Sequence, residues 1–430
     1  MPQIAVWICG ITLTLNVMFT VEGKQRLLIA IPIAMGKQSK EKIMKKVWKG
    51  LAATAAAVGL AATGFIGTTS AFAADGVPLG VTATDNALTD AYKFTAYKLM
   101  DATNTGTDTD PTYAYSFPSD GMKAAVVAAF NGLGLKDADG KAITVATTDY
   151  DSVIAKAIET NIADDSATAR AFADALALSK ALGSGTELVG STTADVDEGY
   201  YLIVQTDGPG EKENAPNGKN YTFSRAMLTS VLATNDSNTV TVKRSEVTMT
   251  KAVLDDAADN WDEATEGWFT DADYTIGETI PFKLTGTLPE NINEFQTFFY
   301  EFGDHCDDTL DIDNGSAKVY LKKGDNVTQL TTGFTATYET HKLSITFANL
   351  MTQYEGKYLN GEDAWDYERD SFIVTYTAKL NESAKTDGIS TATPGVAHEN
   401  YAKVTFSTDP YSNTGGKTRE TPEDKAVVFA

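Results

Sequence analysis

From about residue 246 onward, apolar and polar residues alternate in row after row, and a period of two commits a segment to β-strands with one buried face. Ile280, Phe282, Leu284 and Leu288 make one row; Leu343, Ile345 and Phe347 a second; Phe372, Val374, Tyr376, Ala378 and Leu380 a third. Turn-rich stretches such as DIDNGS and KKGDN separate these runs at the intervals of a sandwich. The predicted architecture for residues 246–430 is therefore an immunoglobulin-like β-sandwich. Residues 74–243 have a different grain. AYKFTAYKLMDA (91–102) and GYYLIVQT (199–206) read as strands, whereas residues 122–130 and the Ala-rich 167–182 read as amphipathic helices. The expected fold is mostly β, an α+β domain followed by the sandwich.

Before these two regions lies MKKVWKGLAATAAAVGLAATGFIGTTSAFA, residues 44–73, with the three parts of a secretory signal. Lys45, Lys46 and Lys49 precede an apolar run from Leu51 to Ile66, and Ala71-Phe72-Ala73 forms the cleavage site. Export signals begin at the initiator methionine, so translation is expected to start at Met44, leaving residues 1–43 outside the working protein. Their apolar stretch from Ile4 to Val21 is long enough to span a bilayer. The formal charge of −23 opposes binding to nucleic acid or anionic membranes. Of two cysteines, Cys9 falls upstream of the signal, so the exported part holds Cys306 alone and no internal disulfide. Such a protein needs another source of resistance to unfolding.

The stretch VTVKRSEVTMTKAVL, residues 240–254, holds two lysines of opposite parity. Lys243 points away from Val240 and Val242 and reads as solvated. Lys251 shares a face with Val247, Met249 and Val253 and reads as buried. The same test selects Asp304, in phase with Phe298, Tyr300 and Phe302, and Asn400, in phase with Ala402, Val404 and Phe406. Burial lowers a lysine's pKa and frees a nucleophilic amine, while it keeps a carboxylic acid protonated. Such an acid can polarise a carboxamide and relay protons as the amine attacks and ammonia leaves, giving a Lys–Asn isopeptide bond. Each residue also has a plainer reading: a lysine bending out at a strand end, Asp304 capping a turn, Asn400 opening a strand. Parity alone does not bring unaligned strands together.

Other groupings are weaker. His305 and Cys306 adjoin Asp304, but neighbours on a strand point apart and no further ligand completes a metal or nucleophile site. Asp307, Asp308, Asp311 and Asp313 crowd one loop without calcium-loop spacing, and read as solvated turn acids. Trp261, Trp268 and Trp365 read as plugs at the sandwich ends, with sugar stacking the alternative. No cofactor and no metal is expected.

The chain resembles the isopeptide-forming fimbrial subunits of Gram-positive bacteria, the shaft pilins polymerised by sortases. AYKFTAYKLMDA and DVDEGYYLIVQT resemble strands of that family's N-terminal domain. TKAVLDD, DYTIGETIPFKLTGTLP, FYEFGD, FIVTYTAKLNESA, NYAKVTFSTDP and KTRETPEDKAVVF follow in the order of its isopeptide-forming, Cna-B-like domain. The resemblance implies Lys251 as the bonding lysine, Asp304 as the catalytic acid and Asn400 as the bonding asparagine, with Asn413 the second choice. It places on Lys243 the lysine that a sortase joins to another subunit. There are departures: Val240-Thr241-Val242 stands where Tyr-Pro precedes that lysine, and Ser407-Thr408-Asp409-Pro410 stands for Ser-Asn-Asn-Pro. The family's further sandwich, sorting signal and membrane helix are missing after Ala430, so the chain is expected to be a truncated form.

The implied protein is a non-enzymatic subunit of a cell-wall fimbria, or a secreted one if it truly lacks the sorting signal. Its implied partners are other pilin subunits, a class C-type sortase and host surface ligands, with no nucleic acid. An adhesin binding host protein or glycan through the same modules is the alternative. A secreted hydrolase is disfavoured, since no paired carboxylates, Ser/His/Asp set or metal motif stands out.

Overall fold

The computed structural model describes residues 76–429 except 84–87, 108–109, 163–165, 209–219, 256–265, 354–363 and 385–396, together with the backbone of 13–21 and 24–33. The signal at 44–73 and Trp261 lie outside the described residues, as does most of 1–43. Of the apolar stretch Ile4–Val21, the described part is an extended strand, Leu13–Val21, paired antiparallel with Lys24–Ile33. Among the described residues no helix is long and apolar enough to cross a membrane.

The first unit is α+β. Its central strand, Lys93–Asn104, pairs with Gly199–Asp207, Tyr113–Ser116 and Thr186–Val189, and a second small sheet runs through Val77–Ala83. Three helices lie against the larger sheet: α1 (Asp120–Gly132), α2 (Asp151–Asn161) and α3 (Ala167–Ser179). Ser119 and Ser166 cap α1 and α3 by accepting from Met122 N and Ala169 N at 3.1 and 3.0 Å. Helix α3 stops three residues short of its predicted end because Lys180 turns left-handed, φ 51°. Helix α2 is absent from the sequence-based expectation; Ile154, Ala155 and Ile158 bury its one apolar stripe.

The second unit is a sandwich of two sheets around a core that runs from Val247 to Val428. One sheet contains β1 (Met249–Leu254), β2 (Thr279–Thr287), β4 (Lys318–Lys323), β5 (Asn326–Leu330) and β8 (Ser371–Leu380), in the order β1-β2-β8-β4-β5. The other contains β3 (Tyr300–Cys306), β6 (Thr335–Glu339), β7 (Lys342–Phe347), β9 (Ala397–Ser407) and β10 (Asp424–Phe429), in the order β10-β9-β3-β7-β6. Strands β3 and β9 bury every second residue without exception up to Phe406, as their alternation requires. The half is not strands alone, since Leu350–Gln353 forms a helical turn.

The two units interlock at their boundary. Ser245–Val247, which opens the second unit in sequence, pairs with Asn220–Thr222 of the first. Tyr411 of the second unit belongs to the first unit's core, donating to Asp174 at 2.8 Å and accepting from Ala226 N at 2.7 Å.

Candidate functional site

Lys251 sits on β1, opposite Leu284 of β2. Its parity sends it inward with Met249 and Val253, leaving it 2% exposed. Its backbone is pinned by N–H donation to Asp424 Oδ2 of the facing sheet at 2.7 Å. Inside, Nζ lies 5.3 and 5.2 Å from the ring centres of Phe282 and Tyr376, which stack on each other at 5.5 Å. Leucine-rich surroundings alone would not tolerate an ammonium group here, and the aromatic faces give only partial relief.

The opposite sheet supplies the partners. Asp304 on β3 and Asn400 on β9 face inward at 4% and 0% exposure, with Asp304 opposite Ala402 and Asn400 opposite Cys306 across the β3–β9 ladder. Lys251 Nζ contacts Asp304 Oδ2 and donates to Tyr376 Oη at 2.8 Å. Tyr376 Oη in turn bonds both oxygens of Asp304 at 2.8 Å, and Asn400 Nδ2 donates to it at 2.7 Å. One phenol oxygen thus joins amine, carboxyl and carboxamide, so Nζ and the Asn400 amide are no more than two hydrogen-bond lengths apart.

Burial governs the protonation of all three titratable groups. It pushes the Lys251 amine down from the usual lysine range, opposed by the nearby Asp304. It pushes Asp304 up, opposed by Lys251 and by the Tyr376 hydroxyl. Both shifts favour the uncharged amine and acid over the ion pair, because two charges without water lose more solvation than they regain from each other. Tyr376 is raised well above the ordinary phenol range by burial and by Asp304, so it keeps its proton. Asn400 Oδ1 is buried without any hydrogen-bond partner. An unsatisfied buried carbonyl marks a site whose side chains are not arranged for stability alone. The cluster brings an amine, a carboxyl and a carboxamide together out of solvent contact.

Sequence parity selected Lys251, Asp304 and Asn400, and the structure brings those three together. It does not bring Lys243 or Asn413 to them. Lys243 follows the strand Thr239–Val242, its side chain 76% exposed and paired, among the described residues, with Glu290. Asn413 is exposed in a turn beyond β9. Tyr376 was missed as a site residue, although its phase with Phe372, Val374 and Ala378 places a hydroxyl among apolar side chains. His305 and Cys306 point apart: His305 stacks on Tyr401 at 5.2 Å, and Cys306 is buried with its thiol held to Leu310 O at 3.1 Å. Burial, with Asp304 close by, pushes that thiol up to about 12, so it is no nucleophile. The loop acids bind protein groups, with Asp307 accepting from Glu399 N at 2.7 Å and Asp313 from Thr377 Oγ1 at 2.7 Å. Trp365 is buried against Phe372, whereas Trp268 is half-buried beneath Lys283.

No family model matches the chain, and no curated protein matches it. Among solved structures it is similar to the major pilin subunit BcpA of Bacillus cereus, at 14% identity and a TM-score of 0.35 over 83% of this chain and 69% of that one. It is similar to the T6 backbone pilin of serotype M6 Streptococcus pyogenes, at 15% identity and a TM-score of 0.40 over 83% of this chain and 64% of that one. The full-length major pilin SpaD from Corynebacterium diphtheriae gives 15% identity and a TM-score of 0.36, over 82% and 67%. At that identity and overlap the likeness carries no weight for function, which rests on the four side chains that meet between the sheets.

Proposed function

We propose that this chain is a structural subunit of a Gram-positive surface fimbria, exported through residues 44–73, whose second unit locks itself with an isopeptide bond between Lys251 and Asn400. The observation that carries this reading is the convergence of amine, carboxyl and carboxamide, from two facing sheets, on one buried phenol oxygen.

Folding supplies what a slow aminolysis lacks. Holding the reacting groups within two hydrogen-bond lengths of each other replaces a bimolecular encounter, an effect that reaches about 7–11 kcal/mol in well-oriented cases. The neutral Lys251 amine adds to Cγ of Asn400, a Nζ–Cγ bond forms, the Cγ–Nδ2 bond breaks, and Nδ2 leaves as ammonia. Asp304 takes the proton lost by Nζ and gives one up toward the leaving nitrogen, ending as it began. The reaction consumes its own side chains, so it happens once per molecule and is not enzymatic turnover.

The product suits a fibre. It would tie β1, where the chain enters the sandwich, to β9 in the opposite sheet, so that pulling on the chain loads a covalent bond instead of peeling strands. Lys243 is the candidate for linkage to a second subunit by a sortase. Its exposed amine stands just ahead of β1, on the chain segment joining the two units, which supports that assignment.

Proteolysis of the folded protein tests the bond directly. A branched fragment joining the segments around Lys251 and Asn400, one ammonia lighter than their sum, is expected. A branch from Lys251 to Asp304, lighter by one water, would overturn the choice of Asn400; two linear fragments at full mass would overturn the bond.

A further inference from the structure

Asp304 and Asn400 share no hydrogen bond. Each of them reaches Tyr376 Oη instead, and that contact is the hydrogen bond by which the Asn400 carboxamide is held. The acid therefore has no direct path to the nitrogen that must be expelled. We propose that Tyr376 is a catalytic residue of the cross-linking reaction, the relay that carries a proton from Asp304 to the departing Asn400 nitrogen. This rests on the isopeptide reading given above.

The hydroxyl count fits such a relay. A phenol offers one donor and two acceptor sites. In the resting arrangement Tyr376 spends its donor on Asp304 and accepts from Lys251 and Asn400. Amide Nδ2 is a poor acceptor because its lone pair is delocalised. Once Nζ has added to Cγ, that delocalisation is lost, and Nδ2 becomes an amine with its lone pair in a centre already 2.7 Å from Tyr376 Oη. The hydroxyl proton then passes to Nδ2, the carboxyl proton of Asp304 passes to Oη, and the proton shed by Nζ passes to the Asp304 oxygen it touches. Three protons move, ammonia leaves, and both Asp304 and Tyr376 are restored. No free phenolate forms, which matters because burial makes one costly.

The ring is fixed for this task. It stacks on Phe282, its β2 register partner, and its hydroxyl bonds Asp304 and Asn400 of the facing sheet.

The test uses the full chain, isolated in denaturant before it has ever folded, diluted into buffer and followed by intact mass against time. In Tyr376→Phe, ammonia loss is expected to slow by about 10²-fold or more, the usual contribution of a positioned proton donor, while circular dichroism shows a native fold. Unchanged kinetics in a folded Tyr376→Phe would overturn the relay and leave the isopeptide reading standing. A wild-type chain that folds at full mass would overturn both. Should Tyr376→Phe fail to fold, a fluorinated tyrosine at 376 keeps ring and hydroxyl while making the phenol more acidic. A shifted rate then supports the relay, and a wild-type rate overturns it.

Discussion

Lys251 and Asn400 approach from opposite sheets of one sandwich and donate to the same oxygen, Tyr376 Oη, at 2.8 and 2.7 Å. The relationship matters for stability as well as chemistry. A covalent link between them closes a loop of about 150 residues, and by analogy with disulfides it should stabilise the unit by about 5 kcal/mol before strain. Lys251→Met keeps the volume, removes the amine and leaves Asp304 able to stay neutral. Its urea midpoint should fall well below that of the bonded wild type, and Asn400→Ala should fall with it. Wild-type midpoints in both would argue against a lock.

Lys243 carries a separate prediction. Lys243→Ala should leave folding and the internal bond untouched, since the side chain is 76% exposed and its ion pair with Glu290 lies at the surface. Co-expressed with a sortase and a second pilin subunit, the wild type should enter high-mass polymers that resist boiling in detergent, and the variant should not. Equal incorporation of both would remove Lys243 from the linkage.

Packing further along β2 can be tested through Gly286, the register partner of Met249. A methyl group there would stand 2.2 Å from Tyr300 Oη and 2.8 Å from Phe302, and the Tyr300 hydroxyl is held in place by donation to Thr287 O at 2.9 Å. Gly286→Ala should therefore destabilise the sandwich by about 1–3 kcal/mol, the usual cost of overpacking. Equilibrium urea unfolding reads this out, and an unchanged midpoint would mean that the aromatic row can shift.

The joint between the two units should respond to pH. Burial raises Glu294 to about 7, helped by Asp174, although Arg225 at 2.8 Å and Arg170 oppose the shift. Arg225 is shared with Asp174, so its charge is divided between two carboxylates. A carboxyl raised in the folded state stabilises fully below its unfolded value of 4.5, and that contribution is lost as pH climbs through about 7. Glu294→Gln should match the wild type in thermal midpoint near pH 4.5 and gain on it progressively up to pH 8. A gap that does not vary with pH would show that Glu294 titrates normally.

Much of this was legible in the sequence. Alternation within Phe298–Asp304 and Asn400–Phe406 identified the inward residues correctly, because a strand's period is rigid and each strand has one buried face. Which strands pair is a long-range property that parity does not contain, so the meeting of Lys251 with Asp304 needed coordinates. Tyr376 escaped notice because a tyrosine in a core row is ordinary, its ring apolar and its hydroxyl usually at the rim. Helix α2 escaped because Asp151, Ser152, Glu159 and Thr160 dilute an apolar stripe of three residues. Tyr411 shows the limit of reading domains from grain: it lies in the second unit's sequence and packs in the first unit's core.

The most direct test of the central claim is the intact mass of the purified folded chain set against the same chain that has never folded. The account predicts a folded form lighter by one ammonia, with the deficit absent in Lys251→Met and in Asn400→Ala. Identical masses for folded and never-folded wild type would contradict it.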